Sequence, residues 1–296
     1  MSKQYNNHLV YLLLATLFIS TSGALGKFID LPIPVTNWWR SFIALFVLYA
    51  FCRYEKIPYQ LKSKKNVLPF VLSALFMAAH WITYFYALKC SNVAIGMLSL
   101  FTYPIITAFL EPLFIKTKFD PMYIVLGALA LLGIYILAPE FDLESTMFQG
   151  IFFGLISALF YALRNIISKN LISEHHYNAT AIMLYQLGIV TLVLAPTLLF
   201  MDTSNITTQY PYVILLAIIT TAVGHTLLVN SLKHFTVSTA SIISSVQPVL
   251  GIVIAFIFLR EIPNWNTFWG GMIILSTVII ESVRNQNRPK THQDRM

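Results

Sequence analysis

Residues 87–115 read ALKCSNVAIGMLSLFTYPIITAFLEPLFI, and residues 231–259 read SLKHFTVSTASIISSVQPVLGIVIAFIFL. The second stretch lies 144 positions after the first, and the two align without a gap. Ala87-Leu88-Lys89 meets Ser231-Leu232-Lys233, Val93 meets Val237, Pro104 meets Pro248 and Phe114 meets Phe258. Farther on, Gly127 meets Gly271 at the same offset. Apolar sequences match easily by chance, so identity alone decides nothing. The register carries the argument: two prolines inside apolar runs, two Leu-Lys helix ends and two glycines share one spacing. A helix needs about 20 apolar residues to cross a bilayer core, and each stretch supplies them. The chain is therefore read as an all-α integral membrane protein with an internal repeat.

Working outward, similar apolar runs give ten expected transmembrane helices, at 9–29, 35–54, 66–88, 92–115, 121–138, 148–170, 178–200, 210–232, 236–259 and 266–283. Polar or proline-bearing stretches separate them, such as Pro32 to Pro34, Lys62 to Asn66 and Asp202 to Gln209. Residues 1–138 form one five-helix repeat, 148–283 a second, and 284–296 a cytoplasmic tail. Five is odd, so the second repeat enters the membrane from the other side. Inverted repeats of this kind recur in transporters, with the substrate near the midplane. The first run is longer than the about 7–15 apolar residues of a signal peptide.

Composition agrees. The chain has 296 residues, 57% hydrophobic and only 10% charged, against about 25% charged in soluble domains. The net charge of +7 is spread over short loops, so no nucleic-acid surface is implied. Orientation follows from Lys and Arg. With the N-terminus inside, Lys3, Arg53, Lys56, Lys62, Lys64, Lys65, Lys116, Lys118, Lys169, Lys233, Arg284, Arg288, Lys290 and Arg295 fall on the inner side. Lys89 and Arg260 fall outside, and Lys27, Arg40 and Arg164 within spans. Both termini are thus expected to be cytoplasmic. Cys52 and Cys90 then lie near opposite faces and cannot pair.

The chain also resembles a known family. Ser22-Gly23-Ala24-Leu25-Gly26-Lys27-Phe28 ends the first helix, and Trp39-Arg40 opens the second. Tyr86-Ala87-Leu88 to Tyr103-Pro104 is echoed by Asn230-Ser231-Leu232 to Gln247-Pro248, and Leu259-Arg260-Glu261 closes the ninth helix. On these residues the sequence resembles the drug/metabolite transporter superfamily, in particular its EamA-type ten-helix members. The family often has Trp-Gly where this chain has Ser22-Gly23. The resemblance implies a central cavity lined by the first four helices of each repeat, with the fifth and tenth as outer scaffold.

Ionisable residues inside a span are costly and face the protein interior or water. Arg40 and His80 are placed toward the outside, and Glu111, Arg164 and His225 toward the inside. Gln186 and Gln247 fall near the middle. With the deep aromatics Trp81, Tyr84, Tyr103 and Tyr161, these give the expected substrate-binding set: Arg40, His80, Trp81, Tyr84, Tyr103, Tyr161, Gln186, His225 and Gln247. Each has a packing reading beside the functional one. Glu111, the one carboxylate well inside a span, is followed by Pro112 and is expected to act through its charge, with Arg164 or His225 as its partner, either exchanging protons or serving as a structural latch. Lys27 reads as a helix-end residue that snorkels to the surface.

Gly23 to Lys27 lacks the spacing of a phosphate loop, and His175-His176 has no further ligand at metal spacing. No metal, cofactor or catalytic triad is expected. Without a nucleotide motor, transport is passive or driven by an ion gradient. The leading expectation is a plasma-membrane secondary transporter that exports amino acids or other small metabolites. Its partners are the small-molecule substrate, the lipid bilayer and, in the coupled case, protons; a homodimer is left open. A nucleotide-sugar or phosphate-ester exchanger is the alternative transport reading. A lipid-modifying membrane enzyme built on Glu111, Arg164 and His225 is the alternative from another class.

Overall fold

No water reaches the hydrocarbon core to satisfy backbone N–H and C=O groups, so an apolar run closes its own hydrogen bonds as a helix. The computed structural model describes residues 3–114, 121–137, 144–235, 237, 240 and 243–287. Helices α1 (Lys3–Phe28), α2 (Ile33–Tyr54) and α3 (Val67–Cys90) come first. They are followed by α4 (Val93–Leu100), α5 (Tyr103–Phe114) and α6 (Met122–Leu137). The second part begins with α7 (Thr146–Ser173), α8 (Ala179–Leu194), α9 (Thr197–Phe200) and α10 (Ile206–Leu215). A π-helix (Leu216–His225), α11 (Thr226–Ser231), α12 (Val246–Leu259) and α13 (Trp265–Asn287) complete it. Among the described residues there is no strand. Seven helical segments there are long and apolar enough to cross a membrane, and three shorter apolar helices accompany them.

Several expected spans are broken, each for a local reason. The run 92–115 divides at Phe101-Thr102 into α4 and α5. Pro104 has no N–H to donate and its ring crowds the carbonyl four residues back. The chain turns just upstream, where the Thr102 hydroxyl donates to the Ser99 carbonyl at 2.8 Å. The run 178–200 divides at Ala195-Pro196 into α8 and α9. The run 210–232 stays helical but widens to π register in its middle. Positions 115 and 138, the expected ends of two spans, and most of 236–242 lie outside the described residues.

Asparagine side chains start two helices: Asn92 Oδ1 accepts from Ile95 N at 2.9 Å, and Asn178 Oδ1 from Thr180 N at 2.8 Å. Such caps satisfy N–H groups that have no partner within the helix. At the end of α12, Arg260 adopts the left-handed conformation (φ 57°), which stops the helix. The Glu261 carboxylate then accepts from Val93 N, in the first turn of α4, at 2.8 Å.

Helices from the first part pack on helices from the second. α3 and α4 lie on α7, α2 on α8, and α1 on the π-helix and α12. The last helix of each part packs mainly on the other, α6 against α13, and both share a buried cluster with Ile95 and Leu98 of α4. A Cβ on Gly133 would sit 2.9 Å from the Gly270 carbonyl oxygen, and one on Gly270 would sit 2.7 Å from that of Gly133. Without side chains the two backbones touch, as at small-residue helix contacts in membranes. Leu192 and Phe258, at 75% and 74% exposure, point outward where lipid would cover them.

Candidate substrate-binding cavity

The helix period sets one face of α3 against the second part of the chain. His80, Trp81 and Tyr84 are spaced one and three residues apart, so they share that face, and all three are buried. Across from them stand Tyr161 on α7, His225 at the end of the π-helix and Gln247 on α12. These six line a cavity completed by α1 and α4 residues including Ser22 and Met97. Gly23, beside Ser22, lets α1 approach: a Cβ there would meet Tyr84 Oη and Met97 Sδ at 3.1 Å.

Aromatic rings form the wall. His80 stacks on Tyr161 at 4.4 Å between centroids, and Tyr103 meets Tyr161 edge-on at 4.7 Å. Tyr103 thus backs the wall rather than lining it. Trp81 meets the His225 ring edge-on at 5.6 Å. The Ser157 hydroxyl donates to the His80 carbonyl at 3.0 Å. Its oxygen therefore accepts from His80 Nδ1, 2.8 Å away. Nδ1 carries the proton, and in the neutral ring Nε2 is left as an acceptor.

Two arginines are buried among these helices. Arg40, on α2, is 0% exposed. Its guanidinium lies 3.8 Å from the Trp81 ring centre, a cation–π contact. Its Nε donates to Thr221 Oγ1 at 2.5 Å. Thr221 can accept because its own proton goes to the Leu216 carbonyl, 3.0 Å away and five residues back. That spacing is the π register itself, and π segments often mark functional positions. Arg40 Nη1 and Nη2, Trp81 Nε1 and His225 Nδ1 are buried with no hydrogen-bond partner.

Arg164, on α7, is fully engaged. Nε and Nη2 donate to Gln186 Oε1 at 3.2 and 2.8 Å, Nη1 to Asn165 Oδ1 at 3.0 Å, and Nη2 also reaches Met183 Sδ at 2.8 Å. Gln186 in turn donates to Ser168 Oγ at 3.1 Å. Glu111, half-buried on α5, is not among the Arg164 partners. The expected Glu111–Arg164 pair is therefore not made in this conformation, because a neutral amide on a neighbouring helix takes the guanidinium. Gln186 belongs to that network and not to the cavity wall. Sequence reasoning named most of the wall but missed Ser22, Met97, Ser157 and Thr221. Small hydroxyls in apolar helices usually bond their own backbone, so nothing in the sequence marks the two that hold His80 and Arg40.

Known proteins agree with this architecture. A chain in Bacillus subtilis (strain 168), an uncharacterized transporter called YxxF, is 22% identical over 293 residues, covering 97% of this chain and 93% of that one. The pseudopaline exporter CntI of Pseudomonas aeruginosa is 23% identical over 269 residues, 90% and 92% of the two chains. A solved crystal structure superposes with a TM-score of 0.70 at 15% identity, covering 96% of this chain and 99% of that one, which shows the shared fold. The EamA-like transporter family matches residues 7–138 and again residues 148–282. These matches span nearly the whole chain, so the protein belongs to the EamA-like transporters of the drug/metabolite transporter superfamily and is a multi-pass membrane transporter, not an enzyme.

Proposed function

We propose that the protein is a secondary transporter of the plasma membrane that exports amino acids or related small metabolites through the cavity between its two parts. The observation that carries this is the cavity's construction. His80, Trp81 and Tyr84 come from the first part, and Tyr161, His225 and Gln247 from the second, so motion of one part against the other would open and close it. In this reading the three shorter apolar helices also cross, which makes ten. The two family matches are then inverted repeats, and both termini are cytoplasmic. The relative named as an exporter supports the direction. Export of an amino-acid panel from proteoliposomes, with and without a pH gradient, tests the reading. Substitution of Tyr161 or Gln247 by Ala should impair export. Wild-type rates in both variants would remove the cavity from the pathway.

Proton coupling is assigned to Glu111. Glu111→Gln keeps the shape and removes the charge. It should insert and fold normally and still bind substrate, but lose accumulation driven by the pH gradient. Unchanged pH dependence in that variant would sink the coupling role.

A further inference from the structure

We propose that the cavity takes substrates through a carboxylate group, and that Arg40 is the residue that receives it. This rests on the transport reading of the same cavity and adds the chemistry its occupant must carry. The juxtaposition behind it is a fully buried guanidinium lying on a wall ring of the cavity, with both Nη atoms unspent. Arg40 is 0% exposed and sits 3.8 Å from the centre of Trp81. Nε is held by Thr221 Oγ1, which fixes the guanidinium plane. Among the described residues no carboxylate pairs with it, and Nη1 and Nη2 have no partner.

A neighbour has the same sign of need. Trp81 Nε1 can only donate and is unpartnered, and Trp81 lines the cavity. A buried charge without a counter-ion and buried donors without acceptors are each unfavourable. A carboxylate on the Arg40 fork would supply the missing counter-ion. Arginine is charged at any physiological pH, and its two Nη atoms match a carboxylate in parallel, bidentate geometry. The charge count favours a carboxylate over a phosphate. A phosphate dianion would call on a second free cation, and Arg164 is already spent on Gln186, Asn165 and Met183.

The test uses purified full-length protein in lipid nanodiscs and pairs of probes that differ only in charge. The pairs are L-leucine and L-leucinamide, phenylacetate and phenylacetamide, and succinate and succinamide, with inorganic phosphate as a separate arm. Thermal stabilisation reads binding. At least one acid should stabilise the protein while its amide does not. Arg40→Lys keeps the charge but not the fork, and should weaken that acid about 10–100-fold. Arg40→Gln, if it folds, should abolish binding. The assignment is overturned if amides bind as well as acids, if Arg40→Lys binds normally, if phosphate outcompetes every acid, or if no acid binds. Export assays separate this from the transport reading. Loss of export in Gln247→Ala with equal binding of acids and amides leaves transport standing and removes Arg40. Acid-selective binding with normal export in the wall variants does the reverse.

Discussion

Two lysines, one within each part of the molecule, strap helices by one device. Lys27, in the last turn of α1, donates to the Leu88 and Ser91 carbonyls at the end of α3, at 2.6 and 2.7 Å. Lys169, near the end of α7, donates to the Leu232 and Phe235 carbonyls after α11, at 2.6 and 3.4 Å. Leu232 and Phe235 lie 144 positions after Leu88 and Ser91, the offset of the sequence repeat. The chemistry suits the place. The last carbonyls of a helix lack partners within it, and the helix dipole favours a cation there. Lys27 is therefore a strap between helices and not a side chain reaching for the surface.

The two ends differ in what they add. At the Lys27 end, Lys89 donates back to the Lys27 and Ile29 carbonyls at 2.9 and 2.8 Å. Its counterpart in the repeat, Lys233, is exposed, and among the described residues it forms no such strap. Beside it, His234 stacks on His8 of α1 with ring centroids 3.6 Å apart. One end is closed by two lysines. The other is closed by a lysine and a stacked pair of imidazoles, of which His234 has its pKa lowered by partial burial. The same backbone device thus holds two ends of the molecule whose added contacts differ in chemistry. In the inverted arrangement proposed above, they face opposite sides of the membrane.

The largest expected effect comes from cutting each strap. A hydrogen bond to a charged group contributes about 1.5–3 kcal/mol, which is about a 10–100-fold change between closed and open populations. Lys27→Met should lengthen the distance between spin labels at Asp30 and Ile262 and leave a pair at Glu174 and Lys233 unchanged. Lys169→Met should do the opposite. If both variants lengthen the same pair, the two ends do not open separately. A smaller effect is expected for Lys89→Met. Lys27 still holds the end, and an exposed tie contributes about 0.5–1 kcal/mol, a shift of about two- to fivefold.

How much of this was legible depends on which physical signal is local. The apolar runs announce helices because the bilayer admits little else, and the 144-residue register survives in Leu88 and Leu232, Pro104 and Pro248. The helix breaks were harder. A proline marks a region of strain but not which residue yields, so the turn at Phe101-Thr102 follows from packing. The π register of Leu216–His225 depends on Thr221 bonding back to Leu216 while holding Arg40, a three-body arrangement with no sequence pattern. The wall aromatics were named from depth alone and fall together because α3 faces α7. The Arg164–Gln186 network escaped because a neutral amide partner leaves no charge pattern to read.

The smallest effect sharpens the comparison most, because it tests chemistry and not contact. His234 lies in the turn after α11. Its pKa is held below the ordinary 6.5, first by partial burial, then by His8, Lys233 and Lys169. These are the titratable groups that face it. In the opened end His234 regains its ordinary value, so the open state binds more protons near pH 6.5. The sign follows by linkage. Closure of the Lys169 end is at full strength above that pH and weakens as pH falls through it. Because His234 is largely solvated, screening keeps the change small, about twofold. Acidification from about pH 8 to about pH 5.5 should lengthen the Glu174–Lys233 distance modestly and leave Asp30–Ile262 alone. His234→Phe retains a stacking ring without a proton site and should remove the response. If that variant still responds, or if the Lys27 end responds instead, the imidazole pair is not what distinguishes the two ends.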